Sequence, residues 1–123
     1  MKRLAAIRAA LVLAAIAPAG VQGASRTELI YGRTVAERAC ANCHQVSREQ
    51  PVPPPVADAR TGARVAAPSF MAIARDRRKD AVFLRAFLKL PHYPMPDQSV
   101  PSGDIPYLVE YILSLRTSGA PRR

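Results

Sequence analysis

The sequence predicts an all-α domain of three to five helices joined by long proline-rich loops. Apolar residues recur at helical spacing in several separate stretches, and none of these alternates long enough to read as a strand. Proline-rich segments at 51–55 and 91–96 interrupt them. With 123 residues, 49% of them hydrophobic, the chain holds one small domain at most.

The first residues read as an export signal. Met1-Lys2-Arg3 and Arg8 give a positive start, residues 9–17 a short apolar run, and Pro18, Gly20, Gly23 and Ala24 the small residues that follow. The run is too short to span a bilayer. Cleavage is expected near Gly23 or Ala24, with Ala19 as an alternative, so residues 1–24 form the signal peptide and 25–123 the domain. An uncleaved anchor is the lesser reading. Loss of Lys2, Arg3 and Arg8 lowers the formal charge from +9 to +6. A domain of this size buries little surface by itself. With four Tyr, three Phe and no Trp, an apolar prosthetic group would supply much of the missing core.

Ser25 with Glu28 three residues later forms a capping-box pattern. Leu29, Gly32, Val35, Ala36 and Ala39 then recur at helical spacing, predicting a first helix over about 26–41. At its end stands Cys40-Ala41-Asn42-Cys43-His44, the C-x-x-C-H pattern of covalent haem attachment. Positions i, i+3 and i+4 share a helical face. Cys40 and Cys43 can therefore add to the two vinyl groups of one porphyrin while His44 reaches its iron. Both cysteines of the chain are used. A thioredoxin-like redox pair would need a βαβ context, and a closed zinc site would need a second ligand pair that His92 alone does not provide.

Residues 47–67, with Pro51, Pro53, Pro54, Pro55 and Gly62, read as a loop without regular structure. A short helical turn runs from Phe70 to about Arg75. The basic run Arg75–Lys79 follows, and Asp80 caps a third helix. Val82, Phe83, Leu84, Phe87 and Leu88 give that helix its apolar face before Pro91 ends it. The last helix begins near Ser102 or Asp104, tolerates Pro106 only in its first turn, and buries Leu108, Tyr111, Ile112 and Leu115. Arg116 near its end suits the helix dipole.

An iron with a ligand on both faces needs a second donor, and Met71, Met95 and His92 are the candidates. Met71 lies in the Phe70–Ala74 apolar cluster and reads as core. Met95 lies between Pro94 and Pro96, which stiffen the loop and aim its sulfur. Met95 is preferred, His92 is the rival, and an open site is the third possibility.

Over residues 26–116 the chain resembles the class I small monohaem c-type cytochromes, particularly the short bacterial kind. The resemblance rests on Gly32, Cys40-x-x-Cys43-His44, Ala67-Pro68-Ser69-Phe70, Pro94-Met95-Pro96 and Leu108–Ile112. It implies the cytochrome c fold, helices wrapped around one haem c per chain, with iron ligands His44 and Met95. It also implies that Gly32 lets the first and last helices cross closely, beside Leu108 and Tyr111. Pro68 would accept, through its carbonyl, the bond from the proximal imidazole's other nitrogen. Where the family often has an aromatic four residues before the first cysteine, this chain has Ala36.

His/Met ligation favours the ferrous state and fills both axial positions, which points to outer-sphere electron transfer. The sequence shows no paired carboxylates, Ser/His arrangement or phosphate-binding glycine loop, so the expectation is not an enzyme. The expected role is a periplasmic one-electron carrier. The alternatives are a cytochrome subunit dedicated to a periplasmic dehydrogenase or oxidase complex, and a gas- or peroxide-reactive haem with a labile Met95. Arg75, Arg77, Arg78, Lys79, Arg85 and Lys89 suggest a basic surface for acidic redox partners, against the plainer reading of solvating charge. Nucleic acid is not expected as a partner, nor a membrane span once the signal is cleaved.

Overall fold

A computed structural model describes residues 23–90, 93, 95 and 100–116. The expected signal peptide lies almost wholly outside them, as do His92, Pro94 and Pro96. Four helices and one very short ribbon follow in order: α1 (Arg26–Ala39), β1 (Val56–Ala57), β2 (Arg64–Val65), α2 (Phe70–Arg75), α3 (Ala81–Phe87) and α4 (Ile105–Ser114).

Helices α1, α2 and α3 each start on a side-chain cap. Ser25 and Glu28 close the capping box on α1, each accepting from the other's backbone N–H. Ser69 Oγ accepts from Ala72 N at 3.1 Å on α2, and Asp80 from Phe83 N at 2.8 Å on α3. On α4, Asp104 makes no side-chain cap bond. Its carboxylate instead accepts from the Tyr31 hydroxyl of α1 at 2.9 Å. Pro106 sits in the first turn of α4, where its missing N–H costs nothing.

Helix α4 packs against α1, α2 and α3, and its apolar stripe is the centre of the core. Leu108 and Val109 are wholly buried, with Ile105, Tyr111, Ile112 and Leu115 nearly so. Full burial of one such side chain contributes roughly 2 kcal/mol. The α1–α4 crossing is close because Gly32 has no Cβ. One built there would lie 2.7 Å from the Tyr107 carbonyl carbon and 2.9 Å from Tyr111 Cβ. Ala36, one turn on, is wholly buried. The Tyr31 and Tyr107 rings meet edge to face at 5.2 Å on the rim of the same crossing. Arg116 does more than suit its own helix end: its Nε donates to Ala74 O at 2.6 Å, capping α2.

Two expectations change. The 47–67 loop contains an antiparallel ribbon, with Val56 opposite Val65 and Ala57 opposite Arg64. Two residues per strand are too few for alternation to register in a sequence. On α3 only Leu84 is buried, whereas Val82 is 75% and Phe83 42% exposed. This seven-residue helix meets α4 along one line, too narrow a contact to cover the whole apolar face. The Phe83 and Phe87 rings stack on each other at 5.5 Å instead.

Candidate functional site

The C-x-x-C-H pattern lies just past the end of α1, with Cys40 as the helix C-cap. Its turn is closed by Cys43 N donating to Cys40 O at 3.1 Å and His44 N donating to the same oxygen at 2.9 Å. The helix thus ends two residues earlier than expected, yet the i+4 bond keeps the spacing of a helical turn.

A network around Gln50 fixes the chain that follows. Its Nε2 donates to Ala41 O at 2.9 Å and His44 O at 3.2 Å, and its Oε1 accepts from Val46 N at 2.9 Å. Gln45 Nε2 returns a bond to Gln50 O at 2.8 Å. Tyr111 reaches over from α4 and donates its hydroxyl to Val46 O at 2.8 Å in the buried core. Burial holds the Tyr111 phenol above its ordinary range, so it stays a donor at neutral pH.

The 67–70 segment is pinned beside this turn by Phe70 N donating to Gln45 O at 2.9 Å. That contact sets Pro68 O 2.7 Å from His44 Nδ1. A carbonyl only accepts, so Nδ1 carries the proton and Nε2 is left with its lone pair. Phe70 packs against the imidazole at 5.6 Å between centroids.

Cys40, Cys43, His44, Pro68 and Met95 border one cleft of about 320 Å³. Val56, Ala57, Val65, Ala66, Ala67 and Phe87 give it mainly apolar walls, and Arg38, Asp58 and Tyr93 add polar groups. Burial, and then the neighbouring Cys43 thiol, pushes the Cys40 thiol up to about 11. Met71 is buried among Phe70, Ala74 and the α4 residues, away from the cleft, in keeping with its reading as core. Among the described residues, no cluster of three or more His, Cys, Asp and Glu could hold a metal ion by itself.

The basic residues lie elsewhere, and none of the six lines the cleft. Arg78 grips Asp76 with two bonds of 3.0 Å, and Lys79 approaches the same carboxylate at 3.8 Å. Arg78 first, then Lys79, holds the Asp76 carboxyl down to about 2. Arg85 reaches Glu110 at 3.4 Å.

Two contributors to the site carry little local signal in the sequence. Gln50 is an ordinary loop residue whose role depends on three backbone groups converging on it. Tyr93 donates its hydroxyl to Asp58 of the ribbon turn. An Asp four residues before Gly62 was the available hint, since it is a turn-forming combination.

The family model described as Cytochrome c matches residues 29–116, and the chain belongs to that family. No curated protein and no solved structure matches significantly. Membership implies a covalently bound haem c with its iron, haem-based electron transfer and redox protein partners. The cleft fits such a group: two thiols, an imidazole whose Nδ1 is committed to Pro68 and a thioether all border it, and its walls are mainly apolar. No helix among the described residues is long and apolar enough to cross a membrane.

Proposed function

We propose that this protein is an exported one-electron carrier rather than an enzyme, working in the periplasm after removal of residues 1–24. Cys40 and Cys43 would carry the thioether links, and His44 Nε2 and the Met95 sulfur would bind the iron. When bound, the haem supplies a reversible ferric/ferrous couple. The polypeptide does the rest. Pro68 O holds the His44 ring in one tautomer and makes it a better donor. The apolar walls keep water from the centre, and the tightly packed α1–α4 pair limits movement between the two oxidation states. The observation that carries this reading is the convergence of Cys40, Cys43, His44 and Met95 on one cleft, with His44 Nδ1 committed to Pro68.

Docking by charge follows from the same reading. Phe87 of the cleft wall belongs to α3, which also bears exposed Arg85, and exposed Lys89 follows it. With Arg75, Arg77, Arg78 and Lys79, these residues would steer acidic redox proteins toward that wall. Raising salt from 10 to 200 mM should then slow reduction by an acidic partner steeply; an unchanged rate rejects the docking surface.

The absorption spectrum of the purified protein in both redox states tests the ligand set. The expected result is covalent low-spin haem with the weak far-red sulfur-to-iron band in the ferric form. Met95→Ala should abolish that band and His92→Ala should leave it. Persistence of the band in Met95→Ala excludes Met95 as the ligand.

A further inference from the structure

The turn joining β1 to β2 is organised by one carboxylate. Asp58 accepts from Arg60 N and Thr61 N, both at 2.8 Å, and Gly62 turns the chain with φ +70°. The same carboxylate oxygen accepts the hydroxyl of Tyr93, which comes from a distant part of the chain. Arg60 holds that phenol from two directions. Its backbone N–H donates to the Tyr93 oxygen at 3.3 Å, and its guanidinium carbon stands 4.4 Å from the ring centroid. Tyr93 is thereby gripped at its tip and its face. Met95 follows two residues later, so its Cα lies within about 7 Å of that of Tyr93. Asp58, Tyr93 and Met95 all border the cleft.

We propose that Tyr93 and Asp58 form a latch that positions Met95. Donation of the Tyr93 hydroxyl to Asp58 ties the Met95 segment to the β1–β2 ribbon and sets how readily an outside ligand displaces the thioether. The latch rests on the reading of Met95 as an iron ligand. Tyr93 acts through Met95 and is a positioning residue. Most of the chain's packing lies in the α1–α4 core, so the latch governs ligand exchange while contributing little to helix stability.

The test is imidazole titration of the ferric, haem-loaded full-length protein, followed through the far-red band. Tyr93→Phe keeps the ring under Arg60 and removes only the donated proton. Its imidazole affinity should rise roughly five- to tenfold, the scale on which one exposed intramolecular hydrogen bond shifts an equilibrium. Thermal unfolding of the helices, read by circular dichroism, should match the parent. Asp58→Asn should shift affinity in the same direction and serves alone if Tyr93→Phe does not accumulate. In a Met95→Ala background, Tyr93→Phe should leave imidazole affinity unchanged, because no thioether remains to compete. Parental affinity in both single variants overturns the latch. So does an equal gain in the Met95→Ala background, since Tyr93 would then act on the entering imidazole. A parent protein without the far-red band overturns the ligand reading itself, a result distinct from either.

Discussion

The α1–α4 crossing and the ribbon wall of the cleft are held together by different physics. At the crossing, shape decides: Gly32 admits the α4 backbone, and Ala36, Leu108 and Val109 are wholly buried around it. On the wall, Val56 is 40% and Tyr93 47% exposed, and directed polar contacts from Asp58 and Arg60 set the geometry. The scaffold that presents Cys40 and His44 therefore closes by steric fit, which tolerates little change. The wall that carries Met95 is positioned by hydrogen bonds, which can be altered one at a time. Under the proposed ligand set, that division makes the His44 side fixed and the Met95 side adjustable.

The largest effect is expected at Gly32. Alanine there would gain about 1 kcal/mol of helix propensity. It would also force the crossing apart, for a net loss of about 2 kcal/mol or more. Chemical denaturation of Gly32→Ala should show the midpoint falling with the slope unchanged; a gain in stability would mean that the helices do not cross here. A middle-sized effect is expected at Gln50, where packing and hydrogen bonding meet. Gln50→Ala strands Ala41 O, His44 O and Val46 N, at a cost of about 2 kcal/mol. Amide exchange should show Val46 N–H opening sooner than the amides of α4, and equal protection in variant and parent would deny Gln50 its role.

The smallest effect concerns pH. Arg78 and Lys79 depress Asp76 to about 2 in the folded chain, below the ordinary unfolded value of about 3.9. Its contribution is therefore present above about pH 4 and lost as pH falls through 2. Asp76→Asn should melt slightly below the parent at pH 5 and together with it well below pH 2. A constant difference across that range would show that the substitution acts through something other than charge.

Much of the site was legible in the chain because its signals are local. C-x-x-C-H is a spacing, and a spacing survives without knowledge of the fold. Ser25 with Glu28, and Asp80, each announced a helix start that the structure contains. The ribbon was not legible, since two-residue strands carry no period and depend on the Asp58 turn and Tyr93 from another segment. The apolar face expected on α3 illustrates the reverse error. Val82 and Phe83 have the spacing of buried residues, but periodicity says which residues share a face and not whether another element covers it.

By itself, the sequence determined that the chain is helical, which family it joins, and which thiols and imidazole stand together, because each depends on residues within a turn or two of one another. Only the tertiary structure decided which carbonyl faces His44, that Gln50 stitches the turn, and that Tyr93 meets Asp58 beside Met95. Those contacts join residues that are far apart along the chain or depend on loop geometry, and loop paths follow from packing that no local pattern encodes.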